Sequence, residues 1–179
     1  MKDTVTASLT LAAALRPSYC QRWHACPEMA GTEEHGAHAA RVARILCFVW
    51  PEASADALIW ALTHDDGEMG LGDVSGPAKR ENPTLALLLD KAEATNRRAL
   101  GIGPIALPAS VEVLCDLCDK VAALYHVRQV RPWLLDTPPF RADLEAMARR
   151  FATIAARQSQ PIQVLRLCFE EDFAQWLTE

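Results

Sequence analysis

Apolar residues recur at three- and four-residue spacing along most of the chain, and no stretch alternates strictly between apolar and polar residues. This pattern predicts an all-α fold, a helical bundle of six to seven helices in a single domain over residues 1–179. Ser54 and Ser110 precede apolar runs and are the predicted N-caps. The predicted helices are Val5–Leu15, Glu34–Trp50, Ala55–His64, Thr84–Leu100, Ser110–Val130, Arg141–Arg157 and Ile162–Leu177, with prolines and the Gly67–Pro83 stretch between them.

The composition agrees with one folded domain. The chain has 179 residues, of which 50% are hydrophobic, enough for a real core. Its net charge is −5 and it has no basic run, so we expect no nucleic-acid partner. Val5–Leu15 is short, contains the polar residues Thr6, Ser8 and Thr10, and follows only one basic residue, so we expect no membrane span and no export signal, and a cytoplasmic protein. The six cysteines are scattered through helical segments, which favours buried thiols over disulfides.

The pair His64-Asp65 follows the apolar run 57–63, where a predicted helix reaches its polar end. His35 lies upstream and Asp119 downstream, each beside another helical pattern. Imidazole nitrogen and carboxylate oxygen are suitable ligands for a divalent cation. These four residues therefore predict a metal site, and coordination positions left open there would allow the metal to activate water.

Two neighbouring residues leave the ligand assignment open at this stage. His38 lies one helical turn from His35, so it is either a further nitrogen donor or a hydrogen-bond partner of a ligand. Asp116 lies one turn from Asp119 and competes with it for the last ligand position.

The pair Cys115-x-x-Cys118 has a spacing that also suits half of a structural zinc site, which Cys20, His24 or Cys26 would complete. The pair falls inside a long predicted helix, however, and no second pair with this spacing exists in the chain. We therefore interpret these cysteines as packed thiols.

The segment after His64-Asp65 contains three more carboxylates. Glu68 follows His64 by four residues, so it projects from the same side if the helix continues, and would lie beside water at the metal. Gly72 permits a sharp turn that brings Asp73 back toward the site. Asp66 is expected to be exposed to solvent.

The order of these residues resembles that of the HD-domain phosphohydrolases, and among them the HD-type 5'-deoxynucleotidases and the small phage dATP triphosphohydrolases. The resemblance spans about Arg22 to Asp119. It implies an HD-domain bundle with a metal on His35, His64, Asp65 and Asp119, and selects His35 over His38 and Asp119 over Asp116. The matching motifs are Arg22-Trp23, Glu34-His35, His64-Asp65 with Glu68, Gly72-Asp73, Pro77-Ala78-Lys79 and Asp119.

The resemblance also implies roles in catalysis and phosphate binding. Glu68 and Asp73 would be the acid/base and water-orienting residues. Arg22, whose guanidinium offers a planar fork of donors, would bind phosphate together with Lys79. Arg80, next to Lys79, is either a second phosphate contact or a surface residue.

The sugar and the base would meet three other side chains. Trp23 corresponds to a family tryptophan that excludes a 2'-hydroxyl, and Pro77 would line the sugar or base pocket. Ala25 stands where the phage enzymes present a bulkier apolar residue toward the base, so base selectivity stays open. Glu33 departs from the more usual neutral residue at its position.

The predicted function is metal-dependent hydrolysis of 2'-deoxynucleotides, with Zn, Co, Mn or Mg as the divalent metal ion. The preferred reaction is that of a deoxynucleoside triphosphate triphosphohydrolase, which converts a dATP-like substrate to deoxynucleoside and triphosphate. Lys79-Arg80 and the compact length favour it slightly. The alternative is a 5'-deoxynucleotidase, which acts on monophosphates.

Two alternatives lie outside enzymes. One is a metal-binding regulatory helical domain without turnover, which an intact Glu68, Asp73 and Lys79 disfavour. The other is a helical interaction module with an interface built from its tryptophans at positions 50, 60, 133 and 176. For the enzyme, the expected partner is a small-molecule deoxynucleotide, and we expect a homo-oligomer in the cytoplasm, that of the host cell if a phage encodes it.

Overall fold

The computed structural model describes residues 10–72, 74, 76–154 and 159–177, and over these residues the all-α prediction is confirmed. Three 3₁₀ segments, Arg16–Tyr19, Asp66–Glu68 and Pro132–Asp136, occur between the α-helices. The only β-type pairing in the described residues is an isolated antiparallel bridge between Gln21 and Glu34. The helices are α1 (Leu11–Leu15), α2 (His35–Val49), α3 (Ala55–Thr63), α4 (Gly76–Glu81), α5 (Pro83–Ala99), α6 (Ala109–Val130), α7 (Pro138–Ile154), α8 (Gln160–Asp172) and α9 (Ala174–Leu177).

The number of α-helices in the described residues is slightly higher than the six to seven predicted, for two local reasons. The last predicted helix is interrupted at Phe173, which separates α8 from α9. The short helix α4 forms inside the stretch we predicted to be irregular, and Asn82 then caps α5 by accepting from the Leu85 amide at 3.1 Å. The start of the predicted helix Val5–Leu15 and the end of Arg141–Arg157 lie outside the described residues.

One of the two predicted N-caps is confirmed. Ser54 Oγ accepts a hydrogen bond from the Ala57 amide at 3.2 Å and so caps α3. The prediction for Ser110 is wrong, because α6 already begins at Ala109. Pro108 occupies the cap position there, and it makes no side-chain cap hydrogen bond.

The described residues fall into two compact units, each assembled from two separate stretches of chain. The first unit takes its residues from Met1–Gly36 and Thr63–Pro104, and the second from Ala37–Leu62 and Ile105–Glu179. The single domain over residues 1–179 stays a prediction.

In the first unit, α5 holds the 3₁₀ segment Asp66–Glu68. Asn96 Nδ2 donates to the carbonyl oxygens of Gly67 and Met69, both at 2.9 Å. A Cβ on Gly67 would lie 2.8 Å from the Glu93 carbonyl oxygen, so this close approach of two backbones requires glycine. The segment that follows His64-Asp65 is therefore fixed by a helix some thirty residues further along the chain.

In the second unit, aromatic residues of α7 and α8 build a core with Phe173. Phe151, Phe169 and Phe173 are fully buried. The ring centroid of Phe169 lies 5.5 Å from that of Phe151 and 5.0 Å from that of Phe173. Tilted aromatic pairs at these separations stabilise a core. Trp176 is buried beside them, whereas Trp133 is exposed.

Cys115 and Cys118 lie inside α6 and are fully buried, as predicted for packed thiols. Burial, reinforced by Asp116 and Glu112, raises the pKa of the Cys115 thiol to about 11. Burial also raises the pKa of Cys118. Their surroundings therefore favour the neutral thiol over the thiolate.

No helix within the described residues is both long enough and apolar enough to cross a membrane.

Candidate metal and phosphate site

Three side chains of the first unit bring potential metal ligands together. One ligand atom from each of His35, Asp65 and Glu68 lies within 4.8 Å of the other two. These side chains are 4%, 17% and 11% exposed, so water reaches them only in part. One imidazole nitrogen and two carboxylate oxygens suit Zn²⁺, Co²⁺ or Mn²⁺. The donor chemistry of this cluster therefore fits a divalent cation.

The backbone explains how the three side chains meet. His35 is the first residue of α2, and its amide donates to the Cys20 carbonyl oxygen at 2.9 Å. Helix α3 ends at Thr63, so His64-Asp65 follows a helix end as predicted. The α-helix does not continue to Glu68, as our spacing argument assumed; a 3₁₀ segment brings Glu68 Oε2 to 3.9 Å from His35 Nε2.

His64 and Asp65 lie side by side at the edge of this cluster. His64 Nε2 is 3.3 Å from Asp65 Oδ1. The other Asp65 oxygen, Oδ2, is paired with Arg22 Nη1. The carboxylate of Asp65 thus faces both a predicted metal ligand and a predicted phosphate-binding residue.

The fourth predicted ligand, Asp119, belongs to the second unit. His38 Nε2 lies 2.8 Å from Asp119 Oδ1, and His38 is fully buried. The rival Asp116 is paired with cations: Lys120 donates to it at 2.8 Å, and Arg150 pairs with its other oxygen. Lys120 Nζ also lies 3.8 Å from Asp119 Oδ2, so the choice of Asp119 over Asp116 and its ligand role stay predictions.

Arg22 and Trp23 share a partner that we did not predict as a site residue. Glu33 is buried, and its Oε2 accepts a hydrogen bond from Trp23 Nε1 at 2.6 Å. The same oxygen lies 3.4 Å from Arg22 Nε. The only sequence signal for Glu33 is that it is acidic where the resembling family is usually neutral.

Trp23 also has an unusual backbone. Its φ is 66°, in the left-handed region that bulky residues seldom occupy, and it is the only described non-glycine residue with positive φ. The residue before Trp23 is held in place by backbone pairing, because the Arg22 amide donates to the Glu33 carbonyl oxygen at 2.9 Å.

Lys79 lies between two carboxylates of the first unit. Its Nζ is 3.5 Å from Glu68 Oε1 and 3.4 Å from Glu93 Oε1. Burial lowers the pKa of the Lys79 ammonium, but Glu93 and Glu68 outweigh burial, so the pKa is raised. Lys79 therefore keeps its positive charge at neutral pH. No spacing in the sequence links Glu93, midway along α5, to Lys79.

Asp66 differs from its prediction. We expected an exposed carboxylate, but Asp66 is half-buried. Burial raises its pKa to about 6, although Arg97 and His64 act in the opposite direction. The prediction is wrong because α5 packs against the 3₁₀ segment that contains Asp66.

For three other predicted site residues and Arg80, the described part of the structure gives no contact with the cluster. Asp73 lies outside the described residues, and so do the side chains of Pro77 and Arg80 on α4. Ala25 is exposed, in a turn that the Cys26 amide closes by donating to the Trp23 carbonyl oxygen at 3.0 Å.

Comparison with protein-family models, with curated proteins and with solved structures finds no match to this chain.

Proposed function

We propose that this protein is a divalent-metal-dependent hydrolase of 2'-deoxynucleotides. The observation that carries the proposal is that metal-binding groups and cationic side chains adjoin within the first unit. Arg22 contacts Asp65, and Lys79 contacts Glu68. Asp65 and Glu68 both belong to the cluster with His35. Phosphate esters are anions, so they suit a centre that combines a cation with charged hydrogen-bond donors.

His35, His64 and Asp65 would hold the metal. When bound, a divalent ion lowers the pKa of water and stabilises the charge that develops on phosphorus. Glu68, with a carboxylate 3.9 Å from the His35 imidazole, would accept the proton of the attacking water. Lys79 and Arg22 would bind phosphate oxygens, because both are cations beside the cluster.

The deoxyribose preference rests on Trp23. Its indole is fixed by the hydrogen bond to Glu33, next to the proposed phosphate-binding Arg22. A rigid wall there would reject a 2'-hydroxyl by steric conflict, so specificity would come from repulsion and not from an added contact. Trp23→Ala should then narrow the difference between deoxyribo- and ribonucleotides.

The preferred reaction is cleavage of a deoxynucleoside triphosphate at its α-phosphorus, with intact triphosphate as a product. A triphosphate has more charge than a monophosphate, and the adjacent cations Lys79 and Arg80 suit its outer phosphates. Arg80→Ala should therefore weaken triphosphate hydrolysis on the order of tenfold or more, the scale of one charged hydrogen bond, and spare monophosphate hydrolysis.

The decisive experiment incubates the protein with the common deoxynucleoside mono- and triphosphates and Mn²⁺, Co²⁺ or Mg²⁺, and identifies the products by chromatography. Intact triphosphate supports the preferred reaction. Activity confined to monophosphates would identify a 5'-deoxynucleotidase. Bound metal without turnover would leave a regulatory metal-binding domain, and absence of metal binding would contradict the proposal altogether.

A further inference from the structure

We infer that Glu33 is a positioning residue that sets the orientation of both Arg22 and Trp23. The inference rests on the proposed function, in which these two residues contact phosphate and sugar. A single carboxylate oxygen, Glu33 Oε2, lies 2.6 Å from the indole nitrogen of Trp23 and 3.4 Å from Nε of Arg22.

Because Glu33 is buried, its carboxylate depends on these two contacts for compensation of its charge. Its side chain is fully inaccessible to water. A buried carboxylate is strongly unfavourable unless charge and hydrogen-bond partners compensate it. Arg22 supplies the opposite charge, and Trp23 supplies an N–H donor. Because both act on one oxygen, the guanidinium and the indole are fixed relative to each other as well as to Glu33.

The geometry of Arg22 indicates what this orientation achieves. Its Nε faces Glu33, while Nη1 reaches Asp65 in the metal-binding cluster. The planar guanidinium therefore extends from a buried anchor toward the cluster. The backbone reinforces the anchor, since the Arg22 amide donates to the Glu33 carbonyl oxygen at 2.9 Å. Phosphate binding and sugar discrimination thus depend on the same buried carboxylate.

Two substitutions separate the two roles. Glu33→Gln keeps the side-chain volume and an oxygen acceptor for the indole, but removes the charge beside Arg22. It should raise KM for the deoxynucleotide several-fold, because Arg22 loses the opposite charge that orients it, with little change in kcat or in sugar discrimination. Glu33→Leu removes both interactions, so it should raise KM and also narrow the difference between deoxyribo- and ribonucleotides. Glu28→Gln, at an exposed glutamate of the same unit, is the matched control and should change neither quantity.

A second readout does not depend on turnover. In ¹⁵N-indole spectra, the Trp23 N–H resonance is identified by its loss in Trp23→Phe. We expect this resonance to move in Glu33→Leu, to move less in Glu33→Gln, and to respond in wild-type protein to added dAMP or dATP with Mg²⁺.

The outcomes distinguish this inference from the proposed function. Wild-type protein that hydrolyses no deoxynucleotide refutes the proposed function. In that case, a Trp23 resonance that is displaced in Glu33→Leu still supports positioning by Glu33, and one that has the same position in both proteins refutes positioning as well. If the wild type is active, unchanged KM and discrimination in both variants would refute the inference. A parallel loss of kcat, affinity and melting temperature in Glu33→Gln would refute it too, by indicating a merely structural role.

Discussion

Arg97 Nη1 donates a hydrogen bond to the backbone carbonyl oxygen of His64 at 3.0 Å. The bond holds the chain at the point where α3 has ended and the predicted metal ligands begin. Asn96, the preceding residue of α5, holds the carbonyl oxygens of Gly67 and Met69 in the same way. Helix α5 therefore fixes the backbone of the candidate site without supplying a predicted ligand.

Arg97→Met should weaken metal retention, because it leaves the partly buried His64 carbonyl without this donor. A hydrogen bond from a charged donor contributes about 1.5–3 kcal/mol, so we expect at least a several-fold loss of metal affinity. Metal content after dialysis against a graded chelator measures the effect. Arg98→Met is the control, since Arg98 is exposed and donates only within its own helix, to Ala94. Equal metal retention in the two variants would contradict the prediction.

Replacing His64 or Asp65 with Ala should abolish metal retention and hydrolysis while the far-ultraviolet helical signal largely survives. Both residues follow the end of α3, so their side chains can be removed without interrupting a helix. Metal analysis and circular dichroism measure the two properties. His24→Ala, at an exposed histidine of the same unit, should behave as wild type. Full turnover in the His64 and Asp65 variants would exclude the metal assignment.

Glu68→Ala should retain metal but lose at least about 10²-fold in kcat, the usual contribution of a general acid/base group. Glu68 also supplies an atom to the ligand cluster, so metal content must be measured beside turnover. Near-normal turnover in the metal-loaded variant would assign the proton transfer to another group. Loss of the metal together with activity would instead make Glu68 a ligand.

Gly67→Ala should destabilise the fold by about 1–3 kcal/mol, as overpacking does in a tight interface. The added methyl group would lie 2.8 Å from the Glu93 carbonyl oxygen, and backbone cannot move aside cheaply. Urea unfolding measures the change in free energy. Gly103→Ala is the matched control in the same unit, because a Cβ there meets nothing within 4 Å. A Gly67 variant as stable as this control would contradict the described packing of α5.

Because of Tyr125, the free energy of unfolding should fall as the pH becomes alkaline. Burial raises the pKa of its phenol, and the hydrogen bond that its hydroxyl donates to Asp172 raises it further. An unfolded tyrosine ionises near pH ~10, below the folded pKa, so the contribution is complete below pH ~10 and is lost as pH rises through the folded value. Urea midpoints across this range measure the slope. Tyr125→Phe should reduce this dependence of stability on pH. An unchanged slope would show that other groups cause the dependence.

Helix positions could be predicted because burial of one helix face imposes a period that the sequence displays. The predicted Glu34–Trp50 and Ser110–Val130 differ from the observed α2 and α6 by one residue at most at either end. The proximity of His35 to Asp65 was expected from the order of motifs, and the structure brings them together in the first unit. What the period does not encode is whether a helix stops at Thr63 and tightens into a 3₁₀ segment.

The contacts of Glu33 could not be predicted for a different reason. Trp23 and Glu33 are ten residues apart in an irregular segment, where no periodic pattern indicates which residues meet. An antiparallel pairing of only a few residues brings them together, as the bridge between Gln21 and Glu34 shows. Glu93 and Lys79 likewise lie on different helices, and their contact depends on how α4 and α5 pack.

The left-handed backbone of Trp23 has a consequence for how this position can evolve. An L-residue with a bulky side chain gives up about 1–2 kcal/mol in that conformation, which glycine would recover and asparagine would recover in part. The indole N–H opposes that replacement, because the buried Glu33 carboxylate would lose a donor with it. Backbone strain and this hydrogen bond therefore oppose each other at one residue. A change at Trp23 should stabilise the protein only where position 33 changes with it, so the two positions should evolve as a pair.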